Sequence, residues 1–66
     1  MKVNFKIKQY LEENGITQAF LERKTGIRHD KLSRLLNGKR KMSLEELGKI
    51  SQALNVPVEF FLESVV

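Results

Sequence analysis

The 66-residue sequence has no cysteine and no tryptophan, and only one histidine, one proline and one tyrosine. Without cysteine there are no disulfides and no thiolate ligands, and a reducing compartment is permitted. One histidine cannot build a zinc site alone. There is no Gly-rich phosphate loop and no nucleophile paired with a base, so no enzyme, metal or cofactor is expected. No apolar run approaches the roughly 18 residues of a membrane span, and no apolar signal segment opens the chain; a soluble, cytoplasmic protein is expected. Repeats, low-complexity stretches and linkers are lacking too, so residues 1–66 are expected to form a single domain.

What is present is apolar and basic. Leu, Ile, Val and Phe supply 22 of the 66 residues, enough for one core and too many for a disordered chain. A domain this small buries only about 60% of the surface its unfolded chain exposes, so nearly every large apolar side chain is needed. The net charge of +4 is unevenly spread. Residues 23–41 hold eight basic side chains (Arg23, Lys24, Arg28, Lys31, Arg34, Lys39, Arg40, Lys41) against Asp30 alone, a local +7, while the rest of the chain has four basic and seven acidic residues, −3. A basic middle in an otherwise acidic chain is either a localised anion-binding face or a solvated cluster.

The apolar spacing predicts five short helices and no strands. Val3, Ile7, Tyr10 and Leu11 form one stripe over about Val3 to Asn14. A second helix runs from Gln18 to Thr25, with Thr17 as N-cap. A third runs from His29 to Asn37, with Leu32, Leu35 and Leu36 inward. A fourth runs from Leu44 to Leu54, opened by the capping box Ser43-Leu44-Glu45-Glu46, with Leu44, Leu47, Ile50 and Leu54 inward. A fifth runs from Val58 to Glu63, with Pro57 at its start. Gly15, Gly26 and Gly38 each follow an apolar-periodic segment, the pattern of left-handed C-caps.

Helices 2 and 3 are joined by Thr25-Gly26-Ile27-Arg28, a short turn containing glycine, which is the pattern of a helix-turn-helix. Leu21, Ile27, Leu32 and Leu35 are placed to fill the space between the two helices. The second helix then presents a cationic outer face, and a B-DNA major groove about 12 Å wide admits one such helix.

From Ile7 to Leu62 the sequence resembles the Cro and phage-repressor type (XRE-like) of helix-turn-helix regulator. The resemblance is carried by Thr17-Gln18, Leu21, Gly26-Ile27, Leu32-Ser33-Arg34-Leu35, Asn37-Gly38-Lys39-Arg40, Ser43-Leu44, Ile50, Ala53-Leu54 and Val56. It implies an all-α, five-helix lambda-repressor-like fold and a sequence-specific regulator of double-stranded DNA, with repression the expected sign. It also implies roles. Arg28, His29, Asp30, Lys31 and Arg34 fall at base-reading positions. Arg34 can bond guanine O6 and N7, and His29 can donate to guanine or to a phosphate. Asp30 can accept from cytosine N4, orient a neighbouring cation, or simply favour the helix N-terminus. Lys31 can reach a base or a phosphate. Gln18 is implied to hold a phosphate and buttress the reading helix. Thr17, Ser33, Asn37, Lys39, Arg40 and Lys41 would grip the backbone with it, which positions the domain but reads no sequence.

One reading helix covers few base pairs, so a homodimer on half-sites about 34 Å apart is expected, formed on DNA. The dimer surface implied by the resemblance offers Met42, Pro57, Val58 and Phe60, with Val65 and Val66 as an apolar tail; Phe61 and Leu62 are expected to face inward. Five positions depart from the family's pattern. Leu11 and Leu36 stand where many members have a buried Arg–Glu pair, and are expected to pack together. Glu22 replaces an alanine and needs solvent or a cation such as Lys31 or Arg34. Phe20 replaces a polar residue, and either extends the core or forms a small patch. Arg28 replaces a Ser or Thr cap. The competing class is a protein-interaction module, such as an antitoxin or a regulator subunit, marked by Phe20, Val58, Phe60, Val65 and Val66. An RNA-binding role lacks an aromatic platform with interleaved basic residues.

Overall fold

The computed structural model describes residues 3–62. Its helices are α1 (Val3–Glu13), α2 (Gln18–Thr25), α3 (His29–Leu36), α4 (Leu44–Ala53) and α5 (Glu59–Leu62), and no strand occurs among the described residues. The limits of α2 are as expected from the sequence. Helices α1, α3 and α4 each stop one residue early, because Asn14, Asn37 and Leu54 belong to the terminating turns. Helix α5 starts one residue later than expected. Pro57 stays outside it and its carbonyl accepts the Phe60 amide at 3.0 Å. Glu63, Val65 and Val66 lie outside the described residues.

The helix ends are held chemically. Thr17 Oγ1 accepts the Phe20 amide at 3.1 Å, and Ser43 and Glu46 form the reciprocal capping box. Gly38 closes α3 at φ 75°, where a Cβ would also lie 3.1 Å from the Phe5 ring and 3.2 Å from Asn4 Nδ2. Glycine is therefore needed there twice over, for backbone conformation and for close approach. Asn55, at φ 60°, does for α4 what the glycines do elsewhere, and the amides of Asn55 and Val56 return to the carbonyls of Gln52 and Ser51. Asparagine is one of the few residues that tolerates this conformation.

The core is built from Ile7 and Leu11 of α1, Leu21, Ile27, the three leucines of α3, Leu47, Ile50, Leu54 and Phe61. Each such side chain contributes about 1.5–3 kcal/mol on leaving water. Leu11 and Leu36 are both buried in this cluster, and α1 packs on α3 and α5 while α2 packs on α3 and α4. Tyr10, Phe60 and Phe61 meet edge to face with centroids 5.2–5.8 Å apart, which pins α5 to α1. Phe20 resolves as core extension: it is half-buried against the cluster, with the Lys24 ammonium 5.7 Å above its ring.

Two expected core residues face out. Leu44 is 74% exposed and Leu62 38%. The buried stripe of α4 is Leu47, Ile50 and Ser51, continued by Leu54 just past its end. Leu44 extends it back by one turn, past the edge of the core. Leu62 follows the fully buried Phe61 and turns toward the same side as Leu44; with Val3, Met42 and Leu47 the two leucines line a small apolar groove. Ser51 takes a core position instead, its hydroxyl buried without a hydrogen-bond partner among the described residues.

Candidate nucleic-acid interface

The turn between α2 and α3 is a closed set of hydrogen bonds. Gly26 sits at φ 75°, and its amide returns to Glu22 O at 3.0 Å. Thr25 Oγ1 donates to Leu21 O at 2.6 Å and accepts the Ile27 amide at 3.2 Å, while the Ile27 side chain enters the core. Glycine accepts this φ with little cost, whereas a β-carbon makes it strained. The turn thus fixes the direction in which α3 leaves α2.

Helix α3 buries Leu32, Leu35 and Leu36. At about 100° per residue, Asp30, Arg34 and Asn37 lie on the opposite side, with His29 and Lys31 on the two flanks. The Arg34 side chain is exposed and makes no hydrogen bond or ion pair with any described residue, while its backbone carbonyl accepts the Lys39 amide at 2.9 Å. Arg28 and Asp30 are loosely paired at 4.0 Å, with 88% and 73% of their side chains exposed. Lys31 differs from the expectation of a free cation: its ammonium lies 2.9 Å from Glu46 Oε2, at the start of α4. The Ser43 amide and this ammonium together hold the Glu46 carboxyl below the usual carboxylate range.

The start of α3 is tied to α2 by side chains. Gln18 Nε2 lies 3.2 Å from Glu22 Oε2, 3.3 Å from His29 O and 3.3 Å from His29 Nδ1. Glu22 Oε2 is 2.7 Å from His29 Nδ1. The cation that Glu22 was expected to need is therefore neither Lys31 nor Arg34; its partners are His29 and Gln18. Lys31 leaves α3 on the far flank, and Arg34 points to solvent. Gln18 does buttress α3, through the carbonyl of that helix's first residue.

The other end of α3 is tied to α1. Lys8 Nζ donates to Asn37 Oδ1 at 2.8 Å, and Asn37 Nδ2 donates to Ser33 O at 2.8 Å. Two of the expected phosphate ligands, Ser33 and Asn37, are thus bonded to each other and to α1. The following Lys39, Arg40 and Lys41 are all exposed, and with Val3, Asn4, Gly38 and Met42 they line a cavity of about 490 Å³. Lys8 is a cation that the sequence did not single out. Its partner is 29 residues away, and no local pattern marks it.

Thr17 and Gln18 therefore stand beside the start of α3, and a cluster of four cations stands beside its end. Eight residues of helix span about 12 Å, comparable to the width of a major groove. Of the surface positions named as a dimer face, Pro57 and Phe60 are exposed, while Met42 and Val58 are partly buried against the core. Among the described residues no helix is long and apolar enough to cross a membrane.

No curated protein and no solved structure matches the chain. Residues 7–61, most of its length, match a family described as helix-turn-helix.

Proposed function

The chain belongs to the helix-turn-helix family of Cro and phage-repressor type and is a DNA-binding regulator, and we propose that its 66 residues act as one domain that represses transcription by seating α3 in the major groove of an operator. The observation that carries this reading is the outward face of α3. The Arg34 side chain stands near its centre with no partner among the described residues, and basic and amide side chains lie at both ends, where flanking phosphates would run.

In this reading Arg34 meets a guanine edge, and Asp30, Arg28 and His29 read neighbouring positions. Lys31, drawn to Glu46, serves the reading face less than the others. Gln18, Thr17, Lys39, Arg40 and Lys41 hold phosphates, joined by Lys8 through its seat on Asn37. These contacts supply affinity and its salt dependence but no sequence preference.

A homodimer would use the apolar residues left outside the core. Phe60, Pro57, Met42 and Val58 gain Leu44 and Leu62 as neighbours in this role. The same exposed leucines would suit a different protein partner, and light scattering of the free chain and of its DNA complex separates the two readings. A 2:1 complex on a palindromic site supports the homodimer.

Selection of bound fragments from random duplex DNA tests the function directly. A two-fold symmetric consensus with half-sites one helical turn apart is expected. Arg34→Ala should lower discrimination at one base pair per half-site by about 1–3 kcal/mol. If R34A discriminates between operator and mismatched sites as well as the parent does, α3 is not the reading element.

A further inference from the structure

His29 is the sole histidine of the chain and the first residue of α3, with its side chain 77% exposed. Its Nδ1 lies 2.7 Å from Glu22 Oε2 and 3.3 Å from Gln18 Nε2. A neutral imidazole carries one proton, on one nitrogen or the other, and the surrounding donors and acceptors decide which. Counting hydrogens settles it. The Gln18 amide has two N–H bonds, and two oxygens are in reach of them: Glu22 Oε2 at 3.2 Å and His29 O at 3.3 Å. With both hydrogens spent on oxygens, none remains for Nδ1. The carboxylate of Glu22 only accepts, so the short contact requires Nδ1 to be the donor. In the neutral ring Nε2, across from Nδ1, is then a bare acceptor.

We propose that Glu22 is a positioning residue that locks His29 in the Nδ1–H form, so that the exposed Nε2 accepts a hydrogen bond from a base carrying an exocyclic amine, the N4 of cytosine or the N6 of adenine. This rests on α3 being the reading helix. It reverses the role first expected of His29, donation to guanine or to a phosphate. That role returns when the ring is protonated, because Nε2 then becomes a donor. Glu22 is the charged group that α2 presents to the ring. On α3 the flanking Arg28 and Asp30 face each other at 4.0 Å. Glu22 itself is only 25% exposed, so the imidazole–carboxylate contact is partly sheltered from water.

The test has two parts, and the single ring makes the first unambiguous. A long-range ¹H–¹⁵N spectrum of the free chain at pH 8 should show Nδ1 protonated and Nε2 bare. Glu22→Ala should shift the ring toward the Nε2–H form. Glu22→Gln, which keeps an acceptor at the same place, should retain the Nδ1–H form. Glu22 lies outside the core and alanine is a strong helix former, so both variants should fold. The second part is site selection with the parent and both variants at pH 8. One position per half-site should favour an amine-bearing base by about tenfold in the parent at pH 8. It should lose its preference in E22A but not in E22Q.

A bare Nδ1 in the free parent chain overturns the lock. A consensus identical in the parent and E22A at every position overturns the reading by Nε2. The absence of any consensus in all three proteins, with the Nδ1–H form intact, would instead remove the operator reading on which the proposal stands.

Discussion

Ser43 opens α4 with a hydroxyl that accepts the Glu46 amide at 3.1 Å, while the Glu46 carboxylate accepts the Ser43 amide at 2.8 Å. Arg28, at the same place in α3, makes no side-chain cap at all. Both helices are short, both bury an apolar stripe, and both carry acid in the first turn. They differ in what lies beyond the N-terminus. The start of α4 meets the protein's own Lys31, and Ser43 and Glu46 are paired within the protein. The start of α3 faces open solvent with Arg28, His29 and Asp30 displayed. A Ser or Thr cap contributes about 1 kcal/mol, and α3 gives that up at the end that the proposed function sets against DNA. The capping is complete on α4 and incomplete on α3, the helix proposed to read DNA.

The comparison can be broken most severely in the leucines. Leu32→Ala, at a fully buried position of α3, should cost about 2–5 kcal/mol in urea unfolding. Leu44→Ala on the exposed first turn of α4 should stay within about 0.5 kcal/mol. Equal losses would show that Leu44 is covered in solution. Ser43→Ala should cost about 1 kcal/mol. Arg28→Ser should do the opposite, with a gain of up to about 1 kcal/mol in thermal or urea stability and weaker DNA binding whose salt dependence is shallower. A stabilised R28S that binds as tightly as the parent would mean the missing cap serves no contact.

The smallest effect concerns acid. The Glu46 carboxyl titrates below its unfolded value, so its contribution is present in full above the ordinary carboxylate range and is lost as pH falls through the lowered folded value. The pair with the partly exposed Lys31 is screened, and the loss should be below about 1 kcal/mol. Urea midpoints at neutral and acid pH should show that much less acid sensitivity in E46Q than in the parent.

Much of this was legible from residue types and spacing. Thr17 and the Ser43–Glu46 box identified two helix starts because capping is a local hydrogen bond, made within three residues. Gly26 and Gly38 marked turns because only a residue without Cβ takes that φ cheaply. The leucines of α3 declared its inner face, and with it the outward position of Arg34. Asn55 escaped notice because asparagine does many things besides adopt a left-handed turn. Leu44 misled because periodicity gives the direction of a face but not where the core beneath it ends.

The partners of the charged residues lay beyond any local rule. Lys31 with Glu46, Glu22 with His29, and Lys8 with Asn37 join segments that come together only when the helices pack. Helix positions, helix ends and the inward faces were written in the chain itself, since hydrogen bonding and hydrophobic period act over a few residues. Which cation stays free for a ligand, and which nitrogen of His29 carries its proton, was decided by packing, because a charge takes whichever opposite group the fold sets within about 3 Å.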